Sequence, residues 1–143
     1  MLTYMRRTRG GVLALTVISL FPAACDLLLG PERSLDGTWR GSILLDESPV
    51  QIELDLTQTF LGAHGPVRRY TVRGKGRYVY SAINMSILCT VEGSYIHPGI
   101  GLKLQAYGFV LPTLVGKVSD DGNKITGRLK DSRMDVPVTL RKG

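Results

Sequence analysis

Apolar and polar positions alternate along most of this chain. In Gln51-Ile52-Glu53-Leu54-Asp55-Leu56-Thr57, Ile52, Leu54 and Leu56 share one phase. Gln51, Glu53, Asp55 and Thr57 share the other. A period of two puts the sets on opposite faces of a strand, whereas a helix scatters both around its axis. The same pattern predicts a strand over 38–45 with Trp39, Ile43 and Leu45 inward. It predicts another over 67–80 with Tyr70, Val72, Tyr78 and Tyr80 on one face. Further strands follow over 86–95, 100–107, 111–119, 124–129 and 136–141. Stretches rich in Gly, Pro, Asn and Asp separate them, at 46–49, 62–66, 97–99 and 120–123.

Short antiparallel strands joined by short turns form either a sandwich or a meander closed into a barrel. The glycines favour the barrel. Gly41, Gly74, Gly76, Gly93, Gly116 and Gly127 all fall on the inward phase. Inward glycines relieve crowding where strands bend sharply, as small barrels require. The expected fold is therefore all-β, an eight-stranded antiparallel up-and-down barrel over residues 35–143.

Before residue 35 the pattern changes. Arg6, Arg7 and Arg9 precede an uncharged stretch from Gly10 through Ala24, and Ala23-Ala24 lead into Cys25. A basic head, an apolar middle and small residues at a cut make an export signal. The run is short for the ~20 residues of a spanning helix, and Pro22 interrupts its end. Residues 1–24 resemble a bacterial lipoprotein signal peptide, with Pro22 where that family's box usually has Leu. The resemblance implies that Cys25 is lipidated and anchors the chain to a membrane of the cell envelope, outside the cytoplasm. It also gives Asp26 a lean towards inner-membrane retention. A cleaved secretory signal and an uncleaved anchor are the alternatives. Residues 25–34 then read as the lipidated cysteine and a short tether.

Export changes the charge. The chain carries 18 Lys and Arg against 12 Asp and Glu, a net charge of +6. Residues 1–24 hold three of those bases and none of the acids. Beyond them 15 bases face 12 acids, a net charge of +3. Nucleic acid is not an expected partner of an exported, tethered domain. With Cys25 acylated, Cys89 has no partner for a disulfide within the chain. It alternates in phase with Ile87 and Val91 and reads as a small core hydrophobe.

Leu35-Asp36-Gly37-Thr38-Trp39 opens the first strand and is similar to the Gly-x-Trp opening of the lipocalins and avidins, the calycin barrels. The resemblance implies that Trp39 packs across a closed barrel end beside a basic residue of the last strand, Arg141 or Lys142. Small bacterial lipoproteins with the same opening and an Asp-Gly-Asn hairpin near the end look similar as well.

Two candidate sites follow. Tyr70, Tyr78, Tyr80 and Tyr95 share the interior phase with Trp39 and could line a cavity for a small or lipidic ligand. Ile52, Leu54, Val72 and Leu104 would supply its apolar walls. An eight-stranded barrel can equally be filled by its own side chains. Arg69, Arg73, Lys75 and Arg77 form a basic stripe on the outward face, suited to an anionic lipid or an envelope partner. Glu53 and Asp55 on the neighbouring strand could instead pair with it. No nucleophile elbow, phosphate loop or metal-ligand spacing is present. His97 reads as a turn residue. The expected function is non-enzymatic, with no cofactor and no metal.

Overall fold

The computed structural model describes residues 33–143. The leader over 1–24, Cys25 and residues 26–32 lie outside the described residues. Eight strands follow in order: β1 (Gly37–Leu45), β2 (Ser48–His64), β3 (Val67–Tyr80), β4 (Met85–Ile96), β5 (Gly99–Gln105), β6 (Thr113–Val118), β7 (Lys124–Lys130) and β8 (Asp135–Lys142). Each pairs antiparallel with the next, and β8 pairs back to β1, closing the barrel. The meander expected from the alternation is the fold that forms.

Burial follows the period of two. Val50, Ile52, Leu54 and Leu56 of β2 are buried, and Gln51, Asp55 and Thr57 between them are exposed. Ile87, Cys89, Val91 and Tyr95 repeat the pattern in β4. The interior is one apolar cluster, with no polar or charged residue buried among those described. Each buried Leu, Ile or Val contributes roughly 1.5–3 kcal/mol, which is why the phase of every strand is so strongly specified.

The inward glycines mark where the wall bends. A Cβ at Gly74 would overlap the carbonyl oxygen of Asp55, and one at Gly93 that of Gly101. Gly41, Gly116 and Gly127 stand equally close to neighbouring backbone, and Gly76 lies against Cys89 and Leu54. Adjacent strands approach at these points more closely than any larger residue allows.

Most strand limits differ from the sequence expectation by one or two residues, and three of the differences have a visible cause. β2 starts at Ser48 and runs through Gly62 to His64, because a bulge between Phe60 and Gly62 keeps the ladder with β3 going. The β1–β2 reversal narrows to Asp46 and Glu47. Both take left-handed φ, 47° and 64°, as a two-residue hairpin requires. β5 stops at Gln105 because the chain reverses over Ala106–Phe109, with Gly108 at φ 77°.

Candidate functional site

The connections sort the barrel into two ends. Residues 33–36, the β2–β3, β4–β5 and β6–β7 hairpins and the C-terminus lie at one. The β1–β2, β3–β4, β5–β6 and β7–β8 connections lie at the other.

The first end is closed. Trp39 and Leu35 are fully buried there. The Trp39 indole N–H donates to the Leu35 carbonyl at 2.8 Å, and the Lys142 ammonium lies 5.7 Å from the Trp39 ring. Lys142 is the basic partner, and Arg141 is exposed. The reason is register: Trp39 sits opposite Lys142, which shares the inward phase of Val138 and Leu140. Lys142 also donates to the Ser34 carbonyl at 2.8 Å. Gln58 secures the crossing segment. Its side-chain oxygen accepts from the Leu35 N–H at 3.0 Å, and its backbone N–H donates to the Asp36 carboxylate at 2.7 Å. The sequence carried a signal for this residue, a long polar side chain continuing the inward phase of Ile52, Leu54 and Leu56.

His97 belongs to the same end. The Tyr95 hydroxyl and His97 Nδ1 share a hydrogen bond of 2.9 Å, and His97 Nε2 lies 3.3 Å from Asp120 Oδ1. The link ties the β4–β5 turn to the β6–β7 turn, the turn role read for His97. Among the described residues no cluster of His, Cys, Asp and Glu could hold a metal ion.

The tyrosines share a phase but not a place. Tyr70 sits opposite Tyr95 on β4, their rings 5.8 Å apart, with Phe60 edge-on to Tyr70 at 5.6 Å. Tyr80, at the far end of β3, sits opposite Val50 and Met85, and Tyr78 lies one inward position deeper. The five aromatics therefore do not converge on one cavity. At the opposite end a pocket of about 250 Å³ forms between the β1–β2 hairpin and the turn Ser81–Ile83. Leu45, Pro49, Val50, Tyr80 and Ile83 contribute to its lining.

Tyr78 is the anomaly of the interior. It is 1% exposed, and its hydroxyl has no hydrogen-bond partner among the described residues. Burial drives the phenol well above its ordinary value, with the Cys89 thiol and Tyr80 phenol adding smaller contributions. Burial also raises the Cys89 thiol, which a reactive cysteine would not tolerate. Ile52, Leu54, Val72 and Leu104 are all buried, a placement shared by a cavity wall and a filled core.

Outside, Arg69, Arg73, Lys75 and Arg77 are all exposed on β3. The ladders set acids beside them: Glu53 opposite Arg77, Asp55 opposite Lys75 and Glu92 opposite Arg73. Glu53 accepts from Arg40 at 2.7 Å and from Arg77 at 3.3 Å. Its hydrogen bond and charge raise the Arg40 pKa. These pairs are largely solvated and screened by salt, so each contributes little to stability. Glu53→Gln is accordingly expected to lower stability by less than ~1 kcal/mol. The difference should shrink further at high salt, read by urea unfolding at two ionic strengths. A larger loss would show that the stripe holds the barrel together.

No protein-family model, curated protein or solved structure matches this chain.

Proposed function

We propose that this chain is a non-enzymatic lipoprotein of the cell envelope, tethered through Cys25, whose calycin-like barrel binds a small or lipidic ligand from its open end. The unpartnered Tyr78 hydroxyl carries the reading. Buried polar groups in folded proteins are nearly always satisfied, and leaving one unmade costs about 1–3 kcal/mol. A ligand oxygen entering past Tyr80 would accept from that O–H, and the surrounding apolar side chains would hold the rest of the molecule. The rim pocket beside Tyr80 is consistent with such an entry.

Tyr78→Phe separates stability from binding. It removes the unsatisfied hydroxyl and keeps the ring, so the free protein is expected to be as stable or about 1–3 kcal/mol more stable. Stability in the parent should fall as pH rises past the ordinary tyrosine range near ~10. The unfolded phenol ionises there, whereas the folded one stays protonated. Tyr78→Phe should flatten that fall. In native mass spectrometry of protein recovered from the envelope, the parent should carry an extra mass that Tyr78→Phe binds less tightly. A bare mass, unchanged across a lipid and metabolite panel, would sink the cavity reading.

The exposed stripe supports a second reading, a filled barrel that contacts an envelope partner or anionic lipid through its outer face. On the outward face of β1–β5, Arg40, Arg69, Arg73, Lys75, Arg77 and Lys103 outnumber Glu53, Asp55 and Glu92. Arg73→Glu with Arg77→Glu should abolish that association without unfolding the barrel.

A further inference from the structure

β4 outruns its neighbour. Its ladder with β5 extends only from Thr90↔Gln105 to Ile96↔Gly99, whereas its ladder with β3 runs back to Met85. Among the described residues, 85–89 therefore pair on one side alone. Beyond Gln105 the chain turns away, the Phe109 N–H donating to the Ala106 carbonyl at 3.2 Å. A groove of about 590 Å³ crosses the outer face here and reaches the free edge, with Lys75 of β3, Leu88, Cys89, Gln105, Ala106 and Tyr107 among its walls.

Among the described residues, the backbone groups of 85–89 that face this groove have no strand partner. Natural proteins protect such edges with charge, proline or a covering element. Met85-Ser86-Ile87-Leu88-Cys89 contains no charge and no proline, and Leu88 is 74% exposed. An acyl chain could cover Leu88 but could not hydrogen-bond the backbone. A β-strand does both.

We propose that this edge pairs with the same edge of a second copy, antiparallel, about a two-fold axis at Ile87. In that register the two Ile87 residues face each other. Ser86 of one copy lies opposite Leu88 of the other. The chain is compatible with itself there. β3 places Arg77 beside Leu88 and Val79 beside Ser86. The outward row across the junction thus runs Arg77, Leu88, Ser86, Val79, and no like charges meet. The inner row runs Tyr78, Ile87, Ile87, Tyr78. A two-fold contact uses one patch twice and closes at the dimer. Tyr107, fully exposed on the groove wall, adds apolar surface at the same place.

Cysteines at 86 and 88 test the register, because both positions are exposed on β4. Ser86→Cys and Leu88→Cys would each be made in the full chain carrying Cys25→Ser and Cys89→Ala, then mixed and oxidised. Opposed residues bring Cα atoms to ~5 Å, within the about 4.4–6.8 Å a disulfide spans. The mixture should yield a covalent dimer, and either variant alone should yield far less, because 86–86 and 88–88 are offset by two residues. Sedimentation of the unmodified full chain should show a dimer that Leu88→Lys abolishes, with the circular dichroism of the barrel retained. A monomer at every concentration, or equal cross-linking by single variants and mixture, would overturn the proposal.

Discussion

Trp39→Ala is expected to lower stability by about 3–5 kcal/mol, the cost of deleting a fully buried aromatic. A domain with only about 5–15 kcal/mol in hand would be left near its unfolding threshold. Trp39 is fully buried, holds the crossing segment through the Leu35 carbonyl and lies under Lys142. It also belongs to the shortest ladder of the barrel, the three β1–β8 pairs Trp39↔Lys142, Arg40↔Arg141 and Gly41↔Leu140. Its loss should loosen the crossing segment and the closing seam together. Urea unfolding followed by far-UV circular dichroism reads the effect, since Trp39 is the only tryptophan in the chain. Trp39→Phe should recover part of the loss. A change below ~1 kcal/mol, typical of an exposed surface site, would show that the closed end does not depend on this side chain.

Alanine at Gly74 or Gly93 should rank next. The added methyl meets a carbonyl oxygen of the neighbouring strand, Asp55 or Gly101, and backbone has no flexible end to move aside. Overpacking of this kind costs about 1–3 kcal/mol and sometimes more. Gly101→Ala is the control. It sits one strand away with nothing within 4 Å of its Cβ position, and its φ lies outside the left-handed range. That change should be neutral or stabilise by about 0.4–1 kcal/mol through the unfolded chain. If Gly74→Ala and Gly101→Ala melt alike, close strand approach is not what these glycines serve.

The strands and their faces were legible because alternation reports directly on which side of a sheet a residue takes. It says nothing of height along the barrel. Tyr70, Tyr78, Tyr80 and Tyr95 therefore read as one group, whereas the register spreads them from the closed end towards the opposite end. Parity did identify the inward glycines, and applied to β8 it separates Lys142 from Arg141. The end of β5 was hidden for another reason. Ala106 and Tyr107 continue the β5 run on paper, and only the reversal at Gly108 takes them out of the ladder. The free edge of β4 is a product of that reversal, so no local pattern in residues 85–89 announces it. Ion pairing on the outer face was partly visible, since Glu53 and Asp55 stand on the strand next to the basic stripe. That Glu53 is shared with Arg40 depends on β1 pairing with β2 in one register.

The β1–β8 seam also sets the order in which the chain can become a barrel. Every other ladder joins strands adjacent in sequence, and each of those hairpins can form as soon as its second strand is available. The closing ladder joins Trp39 to Lys142, so it waits until β8 is available. Until then β1 presents a long bare flank and the tryptophan lacks its lysine. Contacts this distant in sequence are the slow ones, and partly assembled sheets are prone to aggregate. The sheet is therefore at greatest risk until β8 docks, and removing Leu140, Arg141 and Lys142 should leave a sheet that cannot close.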